Sequence, residues 1–423
     1  MPCSMRARRR WWAEVRGLSV ALVAAGLLAA PVARAAEAPA PDPMQGDGRV
    51  SPFYTWTGAI PDTPGRMLRR EALEPTLGLA NAGAQYRILY SSTDGVGGKT
   101  PVAVSGAFFL PKGTKPEGGW PLIAWAHGTT GVADICAPSW QARSYRDVRY
   151  LNAWLEQGYA VVATDYQGLG TPGPHPYLAV RPEAYSVLDS VRAVLRAFPE
   201  VANRVVVIGQ SQGGGAAFAT GGIAPEYAPE LGIRGVVATG VPYPSSRWLS
   251  PPREGDPDRP DPTIAYLLYL GLVAQQANPA LAPAELFSPR ALPVSELART
   301  TCVGPLTSDV VGAGLTLANA FANGGAGFHA ALEKMLPTLK YTTLRLPEPV
   351  FVGTGQEDHD VAPSSQLALV KDACAAGTVV EAHLYAGLNH GQTVNASLKD
   401  ALPFVQKVLA GEPVKPVCEP APR

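Results

Sequence analysis

Residues 205–217 read VVVIGQSQGGGAA, and this stretch decides the fold class. The apolar, β-branched run predicts a buried strand, and the small residues that follow predict the start of a helix. Ser211 stands between them in a G-x-S-x-G motif, which is typical of a sharp turn that exposes a nucleophilic serine. Gly209 and Gly213 are expected to make room for that turn. The alternative is an ordinary serine in a glycine-rich turn.

Short apolar runs alternate with helical patterns on both sides of this stretch. Buried strands separated by helices are typical of an α/β fold with a mostly parallel central sheet and helices on both faces. A hydrophobic share of 46% and a charged share of 17% suit such a core. The core is expected over 51–240 and 346–423. Besides the central stretch, strands are predicted at 86–91, 102–110, 121–126, 159–165, 234–239, 350–353 and 379–384.

The alternation stops between residues 241 and 345, where the sequence predicts helices and no strand. A long helical insertion between two core strands is expected to form a lid or cap. Its apolar residues fit ordinary helix packing first, and they also fit the lining of a hydrophobic acyl pocket. Helical patterns cover 264–276, 280–287, 292–300 and 311–336.

The first 35 residues have the pattern of a secretory signal peptide. A head rich in arginine precedes an apolar run of 13 residues, 18–30, which is too short to span a bilayer. Residues 33–35 fit a cleavage site, so cleavage is expected near Ala35 and the protein is expected to be extracellular or periplasmic. The alternative is an N-terminal membrane anchor. Residues 36–50 are expected to form a flexible lead-in.

Four of the five cysteines remain after Cys3 leaves with the signal peptide. An even number in an exported chain predicts two disulfides, for which three pairings exist. A zinc site is the alternative, but no pair of cysteines has C-x-x-C spacing. The formal net charge of zero gives no indication of a nucleic-acid surface.

A serine nucleophile needs a base to take its proton, and in this order of elements the base comes late in the chain. His390 lies in a loop after the last predicted strand, where it can reach the serine. His329 lies among the lid helices, and His383 lies inside a strand, where a structural role is expected. His390 is therefore the expected base.

The base needs a carboxylate to orient it, and the loop after strand 350–353 offers three. The spacing within this loop favours Asp358 over Asp360 and Glu357. His359 beside the acid is expected to be an ordinary loop residue. The alternative for the loop as a whole is a solvated acidic turn.

Two backbone N–H groups are expected to stabilise the developing oxyanion, each worth roughly 3 kcal/mol of transition-state stabilisation. One is the N–H of Gln212, which follows the nucleophile. The other comes from the loop after strand 121–126, with Thr129 the expected donor and Gly128 the second choice. His127 is expected to hold this loop by a hydrogen bond.

Several linked motifs occur in a fixed order along the chain. They are HGTTG (127–131) with CAPS (136–139), DYQGLG (165–170) with His175 and Tyr177, DSVRA (189–193), and the serine, acid and histidine loops. In this order they resemble the secretory lipase family of α/β-hydrolases, which includes fungal lipase A and secreted bacterial lipases. The resemblance extends from about Phe53 to Cys418.

This resemblance implies the α/β-hydrolase fold with a helical lid and a catalytic triad of Ser211, Asp358 and His390. It also implies two disulfide pairings, Cys136–Cys302 and Cys374–Cys418. The expected function is that of a secreted serine carboxylic-ester hydrolase, a lipase or esterase, that forms an acyl-enzyme. No metal and no organic cofactor is expected.

The expected substrates are acyl esters, with acylglycerols foremost. The lid is expected to make transient contact with a lipid interface, and neither a nucleic acid nor an obligate protein partner is expected. The alternatives are a secreted peptidase or an acyltransferase on the same triad, and a binding protein that keeps the fold without activity.

Overall fold

The structure is a computed structural model that describes residues 47–245 and 259–423. The expected signal peptide, most of the expected lead-in and residues 246–258 of the expected lid lie outside the described residues. None of the helices in the described ranges is long and apolar enough to cross a membrane.

Nine strands of the described residues form one sheet, in the order β1-β2-β3-β5-β4-β6-β7-β8-β9. Strands β4 to β9 run parallel to one another, and β1, β2 and β3 add antiparallel pairings at one edge. The parallel part therefore aligns the carboxyl ends of six strands along one edge. The strands are β1 (Met67–Ala72), β2 (Ala82–Thr93), β3 (Pro101–Pro111), β4 (Trp120–Ala126), β5 (Ala160–Thr164), β6 (Val201–Gln210), β7 (Ile233–Thr239), β8 (Val350–Gly355) and β9 (Val380–Tyr385).

Both faces of the sheet are buried. In β6, Val205 and Val207 belong to one apolar cluster, and Val206 and Ile208 belong to the cluster on the other face. Successive strand residues point to opposite faces, so a continuous apolar run is what a sheet covered twice requires. The covering helices are α1 (Tyr145–Glu156), α2 (Val180–Ala197), α3 (Gln212–Tyr227), α9 (Pro363–Ala375), α10 (His390–Ala396) and α11 (Leu398–Ala410).

The segment between β7 and β8 forms a helical layer with its own apolar cluster. It contains α4 (Ile264–Ala277), α5 (Pro283–Leu286), α6 (Leu292–Leu297), α7 (Val303–Gly312) and α8 (Ala326–Leu339). Helix α4 matches the predicted range 264–276 closely. Helices α5 and α6 are shorter than the predicted ranges 280–287 and 292–300.

The predicted helix 311–336 is wrong. Helix α7 ends at Gly312 and α8 begins only at Ala326. Positive φ angles at Gly314, Asn323 and Gly324 interrupt the helical path between them. The apolar pattern continues through these residues, but the helical backbone conformation does not.

Candidate active site

The turn between β6 and α3 holds Ser211 in a conformation that few residues other than glycine adopt. Its φ is 58° and its ψ is −123°. A β-carbon at Gly209 would lie 1.8 Å from the carbonyl oxygen of Gly213, and one at Gly213 would lie 1.9 Å from that of Ala126. These distances are far inside van der Waals contact, so both positions require glycine. The turn thereby presents Ser211 at the carboxyl edge of the sheet.

His390 and Asp358 form a buried pair at the same edge. Asp358 lies in the loop after β8, and its Oδ2 lies 2.7 Å from Nδ1 of His390, the first residue of α10. Asp358 is only 3% exposed and His390 only 7% exposed. The other oxygen of Asp358 accepts hydrogen bonds from the backbone N–H groups of Asp360 and Val361, and Gln366 donates to Oδ2. This set of donors compensates the burial of the carboxylate. Because carboxylate oxygens accept hydrogen bonds, Nδ1 of the imidazole is the donor to Oδ2.

The remaining candidates from the sequence lie elsewhere. Glu357, His359 and Asp360 are exposed, and none of them contacts His390 through a hydrogen bond in the described residues. His329 lies in α8 of the helical layer, and His383 lies in β9. Of the three carboxylates weighed in this loop, the structure therefore brings Asp358 to the imidazole.

The second nitrogen of His390 is turned toward the elbow. Its Nε2 lies 2.8 Å from the side-chain nitrogen of Gln210, the residue immediately before Ser211. On the other side of the ring, a β-carbon at Gly240 would lie 2.5 Å from Cε1 of His390. Gly240, directly after β7, therefore gives the imidazole the space it occupies.

The loop after β4 lies directly against the elbow, because a β-carbon at Gly128 would lie 3.2 Å from the carbonyl oxygen of Gln210. Burial lowers the pKa of His127. Its Nδ1 lies 2.7 Å from the Gly128 carbonyl oxygen, and its Nε2 lies 3.3 Å from the Asp165 carbonyl oxygen, so the ring holds this loop through backbone carbonyls. The hydroxyl of Thr129 lies 2.7 Å from that of Tyr177. In the described residues the N–H groups of Gly128 and Thr129 donate no hydrogen bond, so both remain available to an anion.

A second layer of polar groups fixes Gln212 at the start of α3. Its side-chain amide donates to Oε1 of Glu183 at 2.7 Å and to Nε2 of His175 at 3.1 Å. Burial raises the pKa of Glu183 to about 8 and lowers the pKa of His175 to about 4. Both groups are therefore largely uncharged near neutral pH, which suits an amide network in an apolar setting.

Two disulfides are present, and they are the pairs that the resemblance implies. Cys136–Cys302 joins the loop that follows β4 to the start of α7, and Cys374–Cys418 joins α9 to the C-terminal tail. Beside the first bridge, Val303 donates its N–H to the Thr130 carbonyl at 2.8 Å. The helical layer is thus attached directly to the loop that carries the candidate oxyanion donors.

Helix α4 touches both sides of the site. The ring of Tyr269 packs edge-on against Tyr177, which in turn holds Thr129. One turn earlier, Tyr266 donates its hydroxyl hydrogen to Oδ1 of Asp360 at 2.8 Å. The helix therefore contacts the acid loop and also a residue that supports the candidate oxyanion loop.

One group of ligand-type side chains in the described residues could face a cation. Asp358, Asp360 and His390 each offer one atom, and these atoms lie within 4.8 Å of one another. The imidazole of His390 and the carboxylate of Asp358 are already hydrogen-bonded to each other through Nδ1 and Oδ2. We therefore assign no metal site here.

Several residues of this site were missed from the sequence, among them Gln210, Gly240 and Glu183. Gln210 lies inside the serine motif, but nothing in the motif indicates which way its side chain points. Gly240 directly follows a core strand, and a glycine at the carboxyl end of a strand is a signal that another side chain lies close to the backbone there. Glu183 lies in the first turn of α2 and has no local signal, because its partner Gln212 comes close only in the folded chain.

The sequence is similar to that of known lipases. Residues 143–244 match the Secretory lipase family model. Lipase A of Moesziomyces aphidis is 27% identical over 237 residues, which are 53% of this chain and 49% of that protein. The chain thus spans about half the length of this curated relative.

Two solved structures resemble the whole fold. Candida antarctica lipase A in its closed state superposes with a TM-score of 0.68 at 20% identity, over 88% of this chain and 89% of that one. A rice cell wall degrading esterase, LipA from Xanthomonas oryzae, gives a TM-score of 0.63 at 20% identity, over 82% and 97%. At this identity the likeness establishes the fold, and the fold class expected from the sequence is confirmed. The chain has the α/β-hydrolase fold, and its residues 143–244 match the secretory lipase family model.

Proposed function

We propose that this protein is a secreted serine carboxylic-ester hydrolase, a lipase or esterase, that works through a Ser211–His390–Asp358 triad. The observation that carries the proposal is the 2.7 Å contact between His390 Nδ1 and Asp358 Oδ2, with Nε2 of the same ring turned toward the strained elbow. A base oriented by a buried carboxylate, close to a half-buried serine, is the arrangement that activates a hydroxyl. The lipase and esterase names of the relatives agree with this chemistry.

The reaction follows as acyl transfer in two steps. His390 takes the proton of Ser211 as the hydroxyl oxygen attacks the ester carbonyl, and Asp358 stabilises the imidazolium that forms. The N–H groups of Gln212 and Thr129 are the donors for the oxyanion, with Gly128 the alternative to Thr129. The alcohol then leaves with the proton from His390. Water, deprotonated by the same base, releases the acid and restores the serine.

Acylglycerols are the substrates we propose first, and the helical layer is the element that would select them. Its apolar helices contact the loop of Asp358 and the loop of the candidate oxyanion donors. A transient contact of this layer with a lipid interface is part of the proposal. One structural neighbour is named a lipase and another a cell wall degrading esterase, so the length of the acyl chain has to be measured.

A series of p-nitrophenyl esters with acyl chains of two to eighteen carbons tests this proposal. We expect Ser211→Ala to lose about 10⁴-fold or more of the wild-type rate, because the nucleophile is gone. Ser364→Ala is the matched control, since Ser364 is exposed on α9, and it should keep full activity. A wild type that cleaves no ester but does cleave peptide amides would replace this proposal with a peptidase.

The acyl-chain optimum decides between the two names. A maximum at eight carbons or more indicates a lipase with a long acyl site, whereas a maximum at two to four carbons indicates a short-chain esterase. Repeating the series with an added alcohol acceptor measures acyl transfer, the other activity open to this triad.

We propose also that residues 1–35 are removed during export. Two disulfides suit an oxidising compartment, and the family whose model matches is a secretory one. The intact mass of the exported protein should correspond to a chain that begins at Ala36. A mass that includes residues 1–35 would contradict the cleavage.

A further inference from the structure

The side chain of Gln210 forms a hydrogen bond with Nε2 of His390, the nitrogen that must accept the Ser211 proton in the proposed reaction. Gln210 is the last residue of β6 and is only 1% exposed. Its amide nitrogen lies 2.8 Å from His390 Nε2. Because Nδ1 holds its hydrogen toward Asp358, Nε2 carries the lone pair, and the amide N–H donates into it.

Ser211 has no share in this contact. Within the described residues, the Ser211 hydroxyl forms no hydrogen bond with His390, whose Nε2 is satisfied by Gln210 instead. An imidazole nitrogen has one lone pair in the ring plane, so it accepts one strong hydrogen bond at a time. The amide and the serine hydroxyl therefore compete for the same acceptor.

The other end of the same amide reaches the candidate oxyanion loop. A β-carbon at Gly128 would lie 2.3 Å from Oε1 of Gln210. The φ of Gly128 is not in the left-handed region, so its backbone conformation does not require glycine. The space taken by the Gln210 amide is what excludes a side chain there. The carboxamide thus spans the gap between base and oxyanion loop, with its nitrogen on the base and its oxygen at the loop.

We propose that Gln210 is a positioning residue that caps His390 in the free enzyme and yields Nε2 to Ser211 when an ester carbonyl enters. The carboxamide is a planar group with a carbonyl, so it fills the gap much as the ester group of a substrate would. Its displacement uncovers the lone pair of Nε2 for the Ser211 hydroxyl. This inference rests on the proposed function and concerns how the same site is held before substrate binds.

The rate at which a small alkyl p-nitrophenyl phosphonate labels the enzyme tests the cap, because labelling requires Ser211 and an available base. In Gln210→Met the side chain keeps its length but cannot donate a hydrogen bond to Nε2. We expect this variant to be labelled about 3- to 10-fold faster than the wild type, the factor that one neutral hydrogen bond is worth. Gln85→Met is the matched control: Gln85 lies in β2, its side chain accepts a hydrogen bond from the Leu79 N–H, and its labelling rate should not change.

Each outcome bears on the cap. A labelling rate that is unchanged or lower in folded Gln210→Met overturns it, since the amide then either only fills space or holds the ring in its productive position. If Gln210→Met does not fold, Gln210→Asn replaces it, because a side chain shorter by one methylene cannot reach Nε2. A histidine ¹⁵N spectrum supplies a second readout, in which the Nε2 signal of His390 should move toward that of a free acceptor in the variant.

Failure of the proposed function gives a different result from failure of the Gln210 cap. If wild type takes up no phosphonate and cleaves no ester, both proposals fall together. If wild type is labelled at Ser211 while the Gln210 variants react at the same rate, only the cap is wrong.

Discussion

Around Ser211 the backbone itself sets the geometry, whereas the helices above are attached mainly by side chains. At the elbow, carbonyl oxygens lie less than 2 Å from where β-carbons of Gly209 and Gly213 would be. In the described part of the chain, the contacts between the layer of α4 to α8 and the loops below it include a disulfide, a backbone hydrogen bond and two tyrosines. Changes at the elbow should therefore abolish activity, and changes at the contacts of the layer should modify stability or substrate choice.

The largest effect is expected from a methyl group at the elbow. Gly213→Ala places a β-carbon 1.9 Å from the Ala126 carbonyl, so either β4 or α3 must move. We expect no measurable ester cleavage and a severe loss of folded protein. Gly304→Ala in α7 is the control, because nothing lies within 4 Å of its β-carbon and alanine favours a helix. Equal activity of both variants would contradict the comparison.

Removing the charge of the proposed triad acid is expected to have the next largest effect. Asp358→Asn keeps the shape of the side chain but no longer balances the imidazolium, and we expect kcat to fall about 10⁴-fold. Glu357→Gln, one residue earlier and exposed, should stay within a factor of three or so of wild type. If the two variants lost activity equally, Asp358 would not be the acid.

The two disulfides should differ in what their loss affects. The bridges close loops with sequence separations of 166 and 44 residues, so removing either is expected to cost about 2–5 kcal/mol of unfolding free energy. Cys136→Ser with Cys302→Ser should also lower ester turnover, since that bridge lies beside the candidate oxyanion loop. Cys374→Ser with Cys418→Ser should lower the denaturation midpoint only. Denaturant titration and turnover of both double variants measure this.

Glu183 should give stability a dependence on pH. Its pKa rises from 4.5 to about 8 on folding, so the folded state binds the proton more tightly than the unfolded chain does. The unfolded carboxyl ionises as the pH rises above about 4.5, and stability from this group then falls until about pH 8, by up to a few kcal/mol. Glu183→Gln should remove this decline, which denaturant titrations at pH 5 and pH 8 would detect. An unchanged slope in the variant would contradict the assignment.

The smallest effect is expected at the surface contact of α4. Tyr266→Phe removes the hydrogen bond to Asp360, which is exposed, and should cost no more than about 1 kcal/mol of stability. Turnover of a two-carbon ester should hardly change, whereas the ratio of long-chain to short-chain turnover should shift. A variant that loses short-chain turnover would place this contact with the catalytic machinery rather than with the layer.

The core was predictable because its signals are local. Each predicted strand overlaps an observed one, since a run such as Val205 to Ile208 must be buried on both faces. Strand β1 was missed because its sequence, MLRREA, has no apolar run and lies at the edge of the sheet. An edge strand needs only one partner, so its residues can be charged.

The features that could not be predicted from the sequence depend on single backbone angles and on tertiary contacts. The break in the predicted helix 311–336 comes from single glycine and asparagine residues whose φ angles the apolar pattern does not report. The contacts of Gln210 with His390 and of Glu183 with Gln212 join residues 180 and 29 positions apart. No spacing rule within the chain predicts such pairs.

The most direct test of the account is to find where a phosphonate ester attaches. Wild type and the Gly304→Ala control should each take up one equivalent of an alkyl p-nitrophenyl phosphonate, and peptide mass spectrometry should place it on Ser211. Asp358→Asn should be labelled far more slowly at the same residue. Labelling at another serine, or no labelling in a folded wild type, would contradict the assignment of Ser211 as the nucleophile.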